Sequence, residues 1–377
     1  MKSVCKENVC TGCGACLIMC PKAAIEIEDS FCFVKTIIDE KKCIKCGICT
    51  KVCQAHHSEK LNKPIRWYQG WAEDETMRLS ASSGGIASAM TSYFMNSGGY
   101  VYSCMFNNGV FVFGLVSMHN FDLIKGSKYV KSTPKNVYKD IIQHVKNGKR
   151  VLFIGLPCQV AAIKLLVGDA PNLYTIDLIC HGTPSVRLFN FFLEQNKIQI
   201  SNVHNIVFRK NGHFGIWINN KPVTTPNTLD CYLIAFLKSL SYTENCYNCT
   251  YARLERCSDL TLGDSWGTEY KNELKKGISL ILVQTSKGED LINGANIHLL
   301  DVNINNAIAN NAQLKEPSTK PPKRDFFFSQ ITKGKSFNLT IWKIYCFICL
   351  KQFIKGLLIK YYIVGKKIFL SLPHGTK

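Results

Sequence analysis

Cys10-Thr11-Gly12-Cys13-Gly14-Ala15-Cys16-Leu17-Ile18-Met19-Cys20 is repeated in outline 33 residues later as Cys43-Ile44-Lys45-Cys46-Gly47-Ile48-Cys49-Thr50-Lys51-Val52-Cys53. Both copies space their cysteines x2, x2, x3, so three thiolates can wrap the corners of one compact [4Fe–4S] core while a fourth stands apart. In a two-cluster arrangement the fourth cysteine of each run closes the other cluster. One ligand set is then Cys10, Cys13, Cys16 and Cys53, and the other is Cys43, Cys46, Cys49 and Cys20. Zinc is the alternative, but it favours paired C-x2-C knuckles with longer spacers. Pro21 follows the first quartet, whereas Gln54 follows the second. Between them Ile25-Glu26-Ile27-Glu28 and Phe33-Val34-Lys35-Thr36 alternate as short strands do. The pattern breaks at Asn62-Lys63-Pro64, which sets the module at residues 1–61.

This module resembles a bacterial two-cluster ferredoxin. Exchange of fourth ligands interlocks its halves and holds the two clusters close enough to pass electrons.

The chain has 377 residues, room for two or three domains, and its 46% hydrophobic and 19% charged residues exclude wholesale disorder. Its 19 cysteines are too many for chance and too few for a small disulfide scaffold. The first 25 residues show no basic stretch, apolar run and cleavage site in succession, so a reducing, cytoplasmic setting is expected. The net charge of +19 suggests nucleic acid, but more than half of it lies in residues 317–377, with twelve Lys or Arg against one acid, Asp325. A charged tail is not a nucleic-acid-binding face.

From Leu79 to Phe121 no Asp, Glu, Lys or Arg occurs, yet Gly and Asn turns interrupt every long apolar run, which excludes a membrane span. A helix is expected over about Gly85–Met95, then a hairpin of Tyr100–Phe106 and Val110–Ser117. The middle reads as α/β. Val151–Ile154 and Tyr174–Ile179 are strands, and helices follow at Gln159–Val167 and Val186–Gln195. Cys158 and Cys180 thus sit where strands turn into helices, the place where open α/β sheets gather ligands. A hairpin is expected around Lys210-Asn211-Gly212, and further strands at Leu260–Asp264 and Ser279–Gln284.

Gly155-Leu156-Pro157-Cys158-Gln159, Asp177-Leu178-Ile179-Cys180-His181-Gly182-Thr183-Pro184-Ser185, Cys246-Tyr247-Asn248-Cys249 and Ser258–Gly267 resemble the coenzyme F420 hydrogenase/dehydrogenase beta-subunit family. The resemblance implies an α/β flavin-binding domain over residues 62–316, with FAD beside a third [4Fe–4S] cluster on Cys158, Cys180, Cys246 and Cys249. Cys257 competes, because Cys246-x2-Cys249-x7-Cys257 offers three corners by itself. For FAD the resemblance favours Ser82-Ser83-Gly84-Gly85, a glycine turn opening a helix, whose N–H groups suit a pyrophosphate. It adds Lys128, Tyr129 and Ser132. His181, next to a ligand cysteine, is the expected proton donor, and Asp264 and Trp266 either line the pocket or close the strand before them. No G-x-G-x-x-G follows a strand, so no Rossmann NAD site is expected. Cys5, Cys32, Cys104, Cys231, Cys346 and Cys349 are left to packing.

Residues 317–377 read as a basic linker and amphipathic helical tail. From Ile341 to Leu372 aromatic residues alternate with Lys351, Lys355, Lys360, Lys366 and Lys367, which suits a helix lying peripherally on an anionic membrane or docked on the body. The expected fold is therefore an α+β ferredoxin-like module, an α/β domain and a helical tail. The expected function is an FAD- and [4Fe–4S]-dependent oxidoreductase. It would link a ferredoxin-like donor or partner redox subunit to a small-molecule acceptor, in either direction. A non-catalytic polyferredoxin-type carrier is the rival, and a membrane-associated partner in polysaccharide biosynthesis a third reading.

Overall fold

In a computed structural model the described residues are 2–371 apart from Ser58 and Asn211, with side chains as far as Tyr362. At the N-terminus β1 (Ile25–Asp29) and β2 (Val34–Ile38) pair antiparallel, with short helices at Ala15–Met19 and Ile48–Lys51. Those helices begin at equivalent points of the two quartets. Gly14 and Gly47 precede them at φ 80° and 73°, a conformation that side chains rarely tolerate. The repeated glycine thus fixes where each cysteine loop turns into helix.

Eight strands build the main sheet: β3 (Arg66–Ala72), β4 (Tyr100–Asn107), β5 (Val110–Leu115), β6 (Val151–Gly155), β7 (Leu173–Leu178), and, beyond a separate small sheet of β8 (Ile206–Lys210), β9 (His213–Ile218) and β10 (Lys221–Pro222), also β11 (Leu260–Asp264), β12 (Ser279–Val283) and β13 (Ile297–Leu300). Their order is β13-β3-β12-β11-β7-β6-β4-β5. The central β4, β6, β7 and β11 are parallel, and antiparallel strands flank them on both sides. Continuous apolar runs in the central strands follow from burial on both faces. Val151 and Phe153 pack under the helices Tyr138–Lys146 and Pro157–Val167, while Leu152 and Ile154 face Ile86–Asn96 and Ser286–Gly294. The middle of the uncharged stretch is thus core, with Met90, Phe94, Val101 and Tyr102 all buried.

A second core gathers the helix Val186–Gln195, the β8–β9 hairpin and the helix Cys231–Leu237. The hairpin expected around residue 211 is this one, although Asn211 itself lies outside the described residues. The same core takes in Phe327, Phe328, Ile331, Phe337, Ile341 and Ile344 from the helices Arg324–Thr332 and Phe337–Ile344. Residues 317–377 are therefore not a tail as a whole, which corrects the expected boundary. Their first half completes the body, and Arg324 is buried in an ion pair with Glu244 at 2.6 Å. Charge count conceals this, because the apolar residues that drive the packing are interleaved with the lysines. Only the helix Cys346–Ser371 stands at the edge, and the side chains of Lys366, Lys367 and Phe369 lie outside the described residues. Among the described residues no helix is long and apolar enough to cross a membrane.

Candidate metal-cluster sites

Cys10, Cys13, Cys16 and Cys53 line one cavity of the N-terminal module, together with Cys5. Three come from one loop and the fourth from the far end of the second quartet. Cys5 belongs to no repeated spacing, so sequence reasoning assigns it no more than packing. In the fold its thiol hydrogen-bonds both Cys10 and Cys53; its own pKa is driven up and theirs are lowered, chiefly by that contact. Such a thiol steadies two thiolates without being one. The backbone N–H of Gly12 adds to this at Cys10, whereas burial raises the pKa of Cys13 against the backbone N–H of Ala15. Of the other set, Cys20 and Cys49 pack with Cys16 and Cys53 in one small core, Cys43 is half-buried and Cys46 exposed.

A second cavity, of about 180 Å³, opens where the module meets the carboxyl ends of the central strands. Cys158 follows β6, Cys180 follows β7, and Cys246 and Cys249 come from the turn after the second core; all four line it. Cys257 does not. It is buried in the core beneath the sheet, and its carbonyl oxygen accepts from Lys164 Nζ at 2.6 Å. Burial, and after it the neighbouring cysteines, raise the pKa of Cys158 well above its ordinary value and that of Cys180 to about 12. Sulfurs so placed ionise together only around a cationic core, which suits a metal cluster. Local donors are in place: Thr243 Oγ1 lies 3.5 Å and Asn245 Nδ2 3.8 Å from Cys246 Sγ. Among the described residues no three His, Cys, Asp or Glu side chains close around a single ion.

The residues expected to hold FAD fall into two segments that adjoin, since Ser127 N donates to Ser82 Oγ at 2.6 Å. Their donors are nevertheless engaged within the protein. Ser83 Oγ donates to Ile278 O and Gly84 N to Ser279 Oγ, both at 2.9 Å. A side chain at Gly84 would strike Gly70 O, so this glycine serves close packing on the sheet. Lys128 is turned inward, its Nζ 3.0–3.1 Å from the carbonyls of Ile124, Lys125 and Gly126, and burial lowers its pKa to about 8. The Tyr129 ring stacks on Phe236. Ser132 alone of the seven lines the 180 Å³ cavity. These donors do not fit a pyrophosphate cradle, so no step is assigned to FAD through them.

His181 lies exposed on the rim of that cavity. The surrounding chain lowers its pKa, with Asp264 acting in the opposite sense. Asp264, at the end of β11, holds Arg209 at 2.6 Å, and Arg209 lies over Trp266. Sequence reasoning misses Lys131 in favour of its neighbours, yet Lys131 lines the cavity and is nearly buried. A signal for it exists: it is the one charged residue of Val130–Thr133.

Eight cysteines paired across two loops, beside four more at the carboxyl edge of an α/β sheet, define an iron–sulfur protein. Residues 9–56 match the 4Fe-4S dicluster domain, a span holding Cys10 through Cys53. Residues 148–302 match the family described as the C terminus of the coenzyme F420 hydrogenase/dehydrogenase beta subunit. That span includes Cys158, Cys180, Cys246 and Cys249 but neither FAD segment. A coenzyme F420-dependent sulfite reductase of Methanocaldococcus jannaschii is 24% identical over 332 residues, 79% of this chain and 47% of that protein. The chain therefore spans about half the length of this relative. A chain of the F420-reducing [NiFe] hydrogenase complex from Methanosarcina barkeri superposes with a TM-score of 0.45 at 16% identity, over 74% of this chain and 96% of that one.

Proposed function

We propose that the chain is an iron–sulfur oxidoreductase. It takes single electrons from a ferredoxin-like donor or partner redox subunit and hands them on at the 180 Å³ cavity, or works in reverse. The observation that carries this reading is the meeting of Cys158, Cys180, Cys246 and Cys249 at one cavity that also touches the dicluster loop at Asn8, Val9 and Thr11. When bound, [4Fe–4S] clusters supply one-electron transfer. The twelve cysteines are the ligands we assign, in the sets Cys10/Cys13/Cys16/Cys53, Cys43/Cys46/Cys49/Cys20 and Cys158/Cys180/Cys246/Cys249.

Electrons enter at the outer set. Cys46 is exposed there beside Ile44, which is 57% exposed, and Lys41, Lys42, Lys45 and Lys51 surround them at the surface. That basic rim with an apolar centre suits an acidic donor protein. His181 is assigned to proton exchange on the strength of its position at the rim. FAD rests on the family resemblance. The helix Cys346–Ser371 turns Phe347, Leu350, Ile354, Leu358 and Tyr361 outward, with Lys351 and Lys355 along one flank, which supports a peripheral membrane contact.

Anaerobic isolation tests the whole reading. About twelve irons per chain with about one released FAD are expected for three cubes and a flavin. Iron without flavin would turn the assignment to the second reading, an electron carrier without catalysis, which the engaged donors of Ser83, Gly84 and Lys128 favour.

A further inference from the structure

Between the dicluster domain and the Cys158 cavity runs a seam made of few residues. Gln54 Nε2 donates to Cys158 O at 2.7 Å and to Thr11 Oγ1 at 3.1 Å, and its amide also reaches Cys13. From the other side Lys131 Nζ lies 3.2 Å from Thr11 O and 3.5 Å from Asn245 Oδ1, the neighbour of Cys246. Thr133 Oγ1 donates to Cys13 O at 3.1 Å, and Gly14 packs on the Lys135 side chain. Alternate residues of one loop, Lys131, Thr133 and Lys135, therefore grip the Thr11–Gly14 loop, while Gln54 ties the end of the second quartet to the start of the helix Pro157–Val167.

We propose that Gln54 and Lys131 are positioning residues for electron passage between the two cysteine sites they join. Gln54 fixes the separation of the sites, and Lys131 supplies positive charge that both share. This rests on the reading that both sites hold clusters. Position 54 is where the first quartet has Pro21, and proline could offer no side-chain amide. Lys131 is the cation whose charge acts on Cys10 and on Cys158 and Cys180 alike. A nearly buried ammonium favours the more negative, reduced state of whatever lies on each side, because little water screens it. No bond forms or breaks at either residue.

The test is an EPR-monitored redox titration of the full chain, isolated anaerobically, as wild type, Lys131→Met, Lys131→Arg and Gln54→Leu, with iron counted in each. For Lys131→Met the midpoints of the two adjoining clusters are expected to fall, the reduced fraction at fixed potential dropping about tenfold, or 59 mV for one electron. The outer, Cys46-containing cluster should not move, and Lys131→Arg should restore the wild-type values. Gln54→Leu should leave midpoints in place and weaken the spin–spin splitting between the adjoining clusters. Midpoints unmoved in Lys131→Met, or all three moved equally, would overturn the role of Lys131; unchanged splitting in Gln54→Leu would overturn that of Gln54. If wild type itself holds about eight irons and two signals, the third cluster is absent and the reading beneath fails first. Should Lys131→Met lose its iron, the same titration on Lys131→Gln decides.

Discussion

Gln54 donates its side-chain amide to the carbonyl oxygen of Cys158, 2.7 Å away and 104 residues further along the chain. This bond fastens the N-terminal module to the loop that follows β6. A hydrogen bond of this kind contributes about 1 kcal/mol. Gln54→Pro, which would make the second quartet end like the first, should loosen the module. Faster proteolytic cleavage between the module and β3 is the expected result, and an unchanged cleavage rate would count against it.

Cys257 is buried in the core beneath the sheet and does not line the second cavity. Cys257→Ala should therefore keep about twelve irons per chain, whereas Cys158→Ser should fall toward about eight. Iron and sulfide assays on the two variants, isolated side by side, check this. Equal losses would return Cys257 to the ligand set.

Asp230 begins the helix Cys231–Leu237, with Oδ1 accepting from Leu233 N and Oδ2 buried without a partner. Burial raises its pKa from 3.8 to about 6. The folded state thus holds the proton more tightly, so stability is fullest below pH 3.8 and is lost as pH rises through about 6. Asp230→Asn keeps the cap and removes the charge. It should raise Tm by little at pH 3.5, by about half the full effect at pH 5 and by most above pH 7, with about 3 kcal/mol as the upper limit. A gain independent of pH would show that the charge is not the cause.

The last two helices should respond differently to side-chain truncation. Phe337 is fully buried in the second core, and Phe337→Ala should cost about 3–5 kcal/mol in denaturant unfolding. Phe347, 84% exposed, should change stability by less than about 0.5 kcal/mol when made Ala.

Outward apolar side chains on the last helix should matter for membranes instead. Ile354→Ser with Leu358→Ser is expected to weaken co-sedimentation with anionic vesicles at least about tenfold, since burying each such side chain is worth about 1.5–3 kcal/mol. Binding to neutral vesicles should be weak already, because Lys351 and Lys355 each add about 1 kcal/mol only against anionic lipid. Equal binding of variant and wild type would falsify the contact.

The strands and helices of the α/β body were legible because burial on both faces leaves apolar runs of strand length. Val151–Ile154 and Val186–Gln195 reappear within a residue of their expected ends. The second core was not legible in its entirety. Phe327 and Phe337 are far in sequence from Phe192 and Tyr232, and only the tertiary contact joins them. Lys128 misleads for a related reason: its cation looks free for a ligand, but three carbonyls of the preceding turn have already claimed it.

Spacing along the chain singled out the eight cysteines of the N-terminal module as the proposed ligands, because a compact core dictates how few residues may separate them. It could not choose among Cys158, Cys180, Cys246, Cys249 and Cys257. Those residues arrive from three separate segments, and their distances are set by the sheet rather than by the number of intervening residues. The tertiary structure turned four of them into the cavity and buried the fifth, and it gave Gln54 and Lys131 neighbours that no local pattern announces.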